Sequence, residues 1–116
     1  MKTSSCKAKG RKLCAEIKEM ILSHHPELAP DDVMVTPSGV TGEDLYLSPK
    51  ARLSLPYTIE AKNQQSFSIW ACLKQAESHA EGRDLTPLLI FRRNHASTYV
   101  ALKLEDFIKL NKKAHT

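Results

Sequence analysis

The stretch LPYTIEAKNQQ, residues 55–65, decides how the rest of the chain is read. Tyr57, Ile59 and Ala61 alternate with Thr58, Glu60 and Lys62, and successive side chains of a strand point to opposite faces. The alternation predicts a β-strand with an acid and an amine on one face. The Glu-x-Lys triplet alone fits a salt-bridged pair on a solvent-facing sheet as well as it fits a chemical site, because charge on an exposed face costs little.

The preceding segment tips that balance. VMVTPSG, residues 33–39, is a short β-like run ended by Pro37 and Gly39, and GEDLYLSP, residues 42–49, alternates from Glu43 to Ser48 before Pro49 stops it. Two short strands of hairpin type are predicted. Asp44 stands sixteen residues before Glu60. If its strand runs antiparallel to the Glu60 strand, two carboxylates and one ammonium converge at one end of a sheet.

Upstream, Leu13, Cys14, Ile17, Met20 and Ile21 recur at helical spacing between Arg11 and His24, and the prolines of HHPELAP end that helix. Downstream, residues 66–82 are in helical order, with Ser66 as N-cap and Gly82 as the stop. TPLLIFRR, residues 86–93, has the near-continuous apolar run of a strand buried on both faces. STYVALKL follows as a strand and LEDFIKLNKK as a short helix. The order αβββαββα predicts a single α/β domain, a mixed sheet flanked by helices, with a parallel crossover through the second helix. Basic tails are expected at about 1–10 and 111–116.

The converging residues have a definite chemical use. Oxygens from Asp44 and Glu60, supplemented by the Ala61 main-chain carbonyl, suit Mg²⁺ or Mn²⁺, hard cations that keep waters for substrate and nucleophile. Such a metal stabilises charge on a phosphate and acidifies a bound water. Lys62 beside it can hold that water and offset the charge that develops on phosphorus. The chemistry implied is phosphodiester hydrolysis.

With an acid on one strand and Glu-x-Lys on the next, the chain resembles the PD-(D/E)XK nuclease superfamily from about residue 11 to 105. Asp44 matches the first acid, "EAK" (Glu60 to Lys62) the second half, and "ED" stands where the pattern has "PD". Among the branches, small phage or bacterial Holliday junction resolvase-like endonucleases are the most similar. The resemblance implies a restriction-endonuclease-like fold, DNA as partner and a divalent metal. It further implies Glu16 of the first helix as an auxiliary metal-directed acid, since Glu16 borders the apolar face centred on Ile17 whereas Glu19 lies nearly opposite. Gln75 of the second helix then orients water or phosphate. Ser48, Lys50 and Arg52, in the loop between the acidic strands, contact phosphates, and Arg92 and Arg93 form a DNA-facing patch. A homodimer is expected, because a double-strand or junction cut needs two strands addressed.

Other features bound the answer. The chain has 116 residues, 41% apolar and 26% charged, with no apolar run of membrane-spanning length. MKTSSCKAKGRKL carries charge with no apolar h-region after it, so a bacterial or phage-infected host cytoplasm is expected. Cys6, Cys14 and Cys72 are odd in number without metal spacing, and are read as reduced thiols. Net charge is +4, with lysines gathered toward both ends, a weak attraction for polyanions. Adjacent His24 and His25 diverge by about 100° on a helix and form no zinc pair. Trp70 is expected as a core anchor. Two rival readings fit the same residues: a catalytically silent nucleic-acid-binding protein on this scaffold, and an interaction module whose acid and lysine are a surface ion pair.

Overall fold

A computed structural model describes residues 3–37 and 42–115, with side chains from Ala8 onward; Lys2, Gly39, Thr116 and the side chains of Cys6 and Lys7 lie outside the described residues. Five strands, β1 (Val33–Val35), β2 (Leu45–Leu47), β3 (Tyr57–Asn63), β4 (Thr86–Arg92) and β5 (Tyr99–Ala101), form one sheet in that spatial order. The pairs β1/β2, β2/β3 and β4/β5 are antiparallel and β3/β4 is parallel. Helices α1 (Thr3–His24), α2 (Pro49–Ser54), α3 (Ile69–Ala80) and α4 (Leu104–Ala114) complete the chain, with a 3₁₀ turn at Pro30–Asp32. This is the restriction-endonuclease-like α/β sheet that the sequence predicts, with one extra short helix.

The core lies between α1 and one face of the sheet. Leu13, Cys14 and Ile17 of α1 pack with Val33, Leu45, Leu47, Ile59, Ala61 and Ile90. Ile59 and Ala61 are odd-numbered positions of β3, as its alternation predicts. On the opposite face Cys72, Ala76 and Ala80 of α3 are buried at four-residue spacing, and their small side chains let the helix lie close to the strands. The Thr58 hydroxyl there donates to the Ala76 carbonyl at 3.2 Å. Leu89 and Ile90, neighbours on β4, are both buried, so this strand is covered on both faces.

Several boundaries move. Helix α1 begins at Thr3 rather than Arg11, and α4 runs to Ala114, so much of the two basic tails is helical. Ser68 rather than Ser66 caps α3, because its oxygen accepts the Ala71 N–H at 3.2 Å. The segment read as a loop after β2 is α2, started by Pro49 at its first position. Ser48 caps it: the hydroxyl oxygen accepts the Ala51 N–H at 3.1 Å and donates to Asp32 Oδ1 at 2.7 Å. Ser48 thereby joins α2 to the 3₁₀ turn.

Candidate active site

Leu45 pairs with Ile59 in the antiparallel β2/β3 ladder, so Asp44 falls opposite Glu60 and on its face. Gly42, at φ +121, supplies the turn before Asp44. The backbone then fixes the acid. Asp44 N–H donates to the Ile59 carbonyl at 3.0 Å, and Asp44 Oδ2 accepts the Ala61 N–H at 2.7 Å. Glu60 is 2% exposed. Burial first, then the charge and hydrogen bond of Asp44, push its carboxyl up to about 8, while Lys62 on the same face pulls the other way. Near neutrality Glu60 therefore holds its proton.

A third group faces this pair. His79 of α3 places Nδ1 2.8 Å from Glu60 Oε1, but the approach angle is not that of a hydrogen bond and both atoms are left without one. The sequence reading missed His79. Its signal was the stripe Cys72, Ala76, His79, in which a histidine shares the sheet-facing side with small residues at helical spacing.

Next to Asp44 a different arrangement holds Glu43, which is 8% exposed. Arg52 pairs with its Oε1, and Arg83 Nη1 donates to Oε2 at 2.6 Å and to the His79 carbonyl at 2.9 Å. The Arg52 guanidinium also lies over the Tyr46 ring, 5.1 Å from its centre. Arg52 is thus one partner in a part-buried ion pair. Lys50 remains exposed on α2.

Glu16 and Arg92 bind each other. Arg92 is in register with Asn63, whose side chain donates to the Lys9 carbonyl of α1 at 3.0 Å. The Glu16–Arg92 pair therefore lies on the α1 face, opposite Glu60. The Arg92 hydrogen bond holds the Glu16 carboxyl below its usual range. Among the described residues no group of three or more His, Cys, Asp and Glu side chains is set to hold a metal ion; of the predicted acids, Asp44 and Glu60 are brought together and Glu16 is not. Arg93 and Gln75 are exposed. Trp70, expected in the core, is 79% exposed. Cys14 and Cys72 are buried free thiols, and burial followed by the charges of Asp44 and Glu60 pushes Cys14 up to about 12, far from reactivity.

The chain from residue 29 to 116 matches the model of a family described as "Phage putative PDDEXK endonuclease". It belongs to this family. Asp44, Glu60 and Lys62 all fall within the matched stretch of this PDDEXK chain, whereas Glu16 precedes it. No curated protein and no solved structure matches the chain.

The donors present in this PDDEXK site suit a hard divalent cation. In an extended strand the N–H and C=O of one residue point to the same edge. Since Ala61 N–H reaches Asp44, the Ala61 carbonyl faces that acid too. Carboxylate oxygens of Asp44 and Glu60 and one carbonyl oxygen make a partial shell of the kind that Mg²⁺ completes with water. Glu60 Oε1 is buried without a hydrogen bond, and Asp44 is the nearest acid acting on its carboxyl. No helix among the described residues is long and apolar enough to cross a membrane.

Proposed function

We propose that this chain is a divalent-metal-dependent endodeoxyribonuclease whose site is Asp44, Glu60, Ala61 and Lys62. The observation that carries the reading is a nearly inaccessible Glu60 set against Asp44, with a carboxylate oxygen left without a hydrogen bond. A structural acid at that depth would be neutralised, as Glu43 is by two guanidinium groups.

Asp44, Glu60 and the Ala61 carbonyl would hold Mg²⁺ or Mn²⁺, which supplies charge stabilisation at the phosphate and a more acidic bound water. Glu60 must release its proton for that role, so loading is favoured as pH rises toward 8. The Lys62 ammonium holds the attacking water and offsets negative charge growing on the phosphate. Exposed Lys50 and Arg93 take flanking phosphates. In this reading Gln75, one helical turn before His79 on α3, steadies a phosphate.

Branched DNA of the junction type, in the cytoplasm of a bacterial or phage-infected cell, is the substrate setting that the resemblance supports. A homodimer goes with it. Leu104, Phe107, Ile108 and Leu110 line one exposed side of α4, and its acids and lysines line the other. Two copies packed through this apolar side would form the closed twofold pair.

The test is incubation with Mg²⁺ or Mn²⁺ and linear duplex, single-stranded, flap and four-way-junction DNAs. Cleavage of at least one is expected, with Asp44→Ala, Glu60→Ala and Lys62→Ala each losing most of it while keeping the wild-type circular dichroism. Cleavage surviving in all three variants excludes this site. Light scattering of the same samples gives twice the chain mass if α4 pairs, and a chain mass unchanged by junction DNA rejects the dimer.

A further inference from the structure

Lys62 is the first residue of a row that crosses three strands. It pairs in register with Phe91 on β4, and Phe91 pairs with Tyr99 on β5. Register partners share a face, so both rings lie on the face of Glu60 and Lys62, about 4.8 Å and about 10 Å from the lysine's strand. Phe67, just before α3, closes the row from above. Its ring meets Phe91 edge-on at 5.7 Å, and Phe91 and Tyr99 are 6.2 Å apart and inclined by 30°. Together with Gln65 and Arg93 the three rings line a hollow of about 180 Å³.

The size and lining of the hollow restrict its occupant. Sites for drug-sized molecules run from about 300 to 1,000 Å³, so this one suits a single flat ring system. Its walls are aromatic, and Tyr99 is 59% exposed. The Gln65 carboxamide oxygen accepts the Asn94 N–H at 3.3 Å, which leaves its NH₂ donors for a ligand. Arg93 is exposed at the rim. Gln65 follows Lys62 by three residues and lies just past the end of β3, so the two are at most about 10 Å apart along the chain. That is within a nucleotide or so of a phosphate held at Lys62, along an unstacked strand.

Resting on the nuclease reading above, we propose that the Phe67–Phe91–Tyr99 hollow seats one unpaired nucleobase of the DNA strand next to the scissile phosphate. The base stacks on Tyr99 and Phe91, Gln65 donates to its edge, and Arg93 holds the adjoining phosphate. A base inside a duplex is already stacked and paired, so the site selects DNA with unpaired nucleotides beside the cut. Direct stacking of this kind tolerates any base, because each has a π-face.

The test is fluorescence anisotropy in chelator, where no cleavage occurs, with a labelled oligothymidylate and an all-abasic oligodeoxynucleotide of equal length and charge. Wild type should bind the thymidylate about five- to a hundredfold more tightly, the range of one stacked base. Tyr99→Ala should remove that preference while its affinity for the abasic strand stays within twofold, and Tyr99→Phe should restore it. Equal binding of both strands by wild type, or a preference that survives in Tyr99→Ala, overturns the proposal. Cleavage of the linear duplex, single-stranded, flap and four-way-junction DNAs in Mn²⁺ is scored separately. A base preference without cleavage rejects the nuclease reading and keeps the base seat, whereas cleavage without a base preference does the reverse.

Discussion

Glu43 and Glu60 are both buried glutamates, one just before β2 and the other within β3, on either side of Asp44, and they are treated in opposite ways. Glu43 receives Arg52 and Arg83, one on each oxygen. Glu60 receives another carboxylate and a histidine nitrogen that makes no hydrogen bond. Burying a charge is costly unless it is paired, so the first glutamate is a completed structural joint and the second is held short of completion. Arg83 ties the two regions together, since it also donates to the His79 carbonyl. The arginine-bound end steadies the turn that presents Asp44, and the acid-paired end keeps a carboxyl raised by its burial and by Asp44.

The sharpest way to break this comparison is to remove Glu43. Glu43→Ala strips Arg52 of its partner in a largely enclosed position and should cost about 3 kcal/mol, the usual penalty for orphaning a buried charge. Urea denaturation measures it, and an unchanged midpoint would show that the arginines do not need the acid.

Next in size is a pH effect confined to Glu60. Its carboxyl is raised in the folded state from a usual value of 4.5 to about 8. The stability it contributes is fully present below 4.5 and is lost as pH rises through 8. The lowered carboxyls of Glu16 and Asp32 act in the opposite sense and at lower pH. In chelator the wild-type melting temperature should therefore fall between about pH 5 and about pH 8.5, and Glu60→Gln should flatten that fall. Parallel curves for the two proteins would mean that Glu60 is not the group titrating.

The smallest effect concerns Asp44. Asp44→Asn keeps an oxygen for the Ala61 N–H and puts a donor where a like charge stood, so in chelator it should be more stable by about 0.5 to 2 kcal/mol. Excess Mn²⁺ should raise the melting temperature of wild type by mass action and leave Asp44→Asn nearly unmoved. A variant that melts below wild type in chelator, together with no metal shift in wild type, would reduce the acid pair to surface chemistry.

Much of the fold was legible because the apolar periods of α1, β3, β4 and α3 are long and regular, and burial is the force that such periods encode. The short helix α2 was not, since its turn and a half carries a single buried residue, Ala51, and too little pattern to distinguish it from a loop. Asp44, Glu60 and Lys62 were legible as a set because a period of two fixes which side chains share a face and one register assumption brings the strands together.

The sequence by itself determined the longer helices and the strands, the convergence of Asp44 with Glu60, and membership of a nuclease pattern, all of which depend on spacing within single elements or across two adjacent strands. Tertiary structure alone decided which charges are spent on one another. Glu16 with Arg92, Glu43 with Arg52 and Arg83, and His79 against Glu60 are separated by up to 76 residues in the chain. Spacing along the chain carries no information about such pairs. An exposed-looking arginine and a buried partner become neighbours only when helices dock on particular faces of the sheet, and the electrostatic cost of burial then selects who is neutralised and who is left for a ligand.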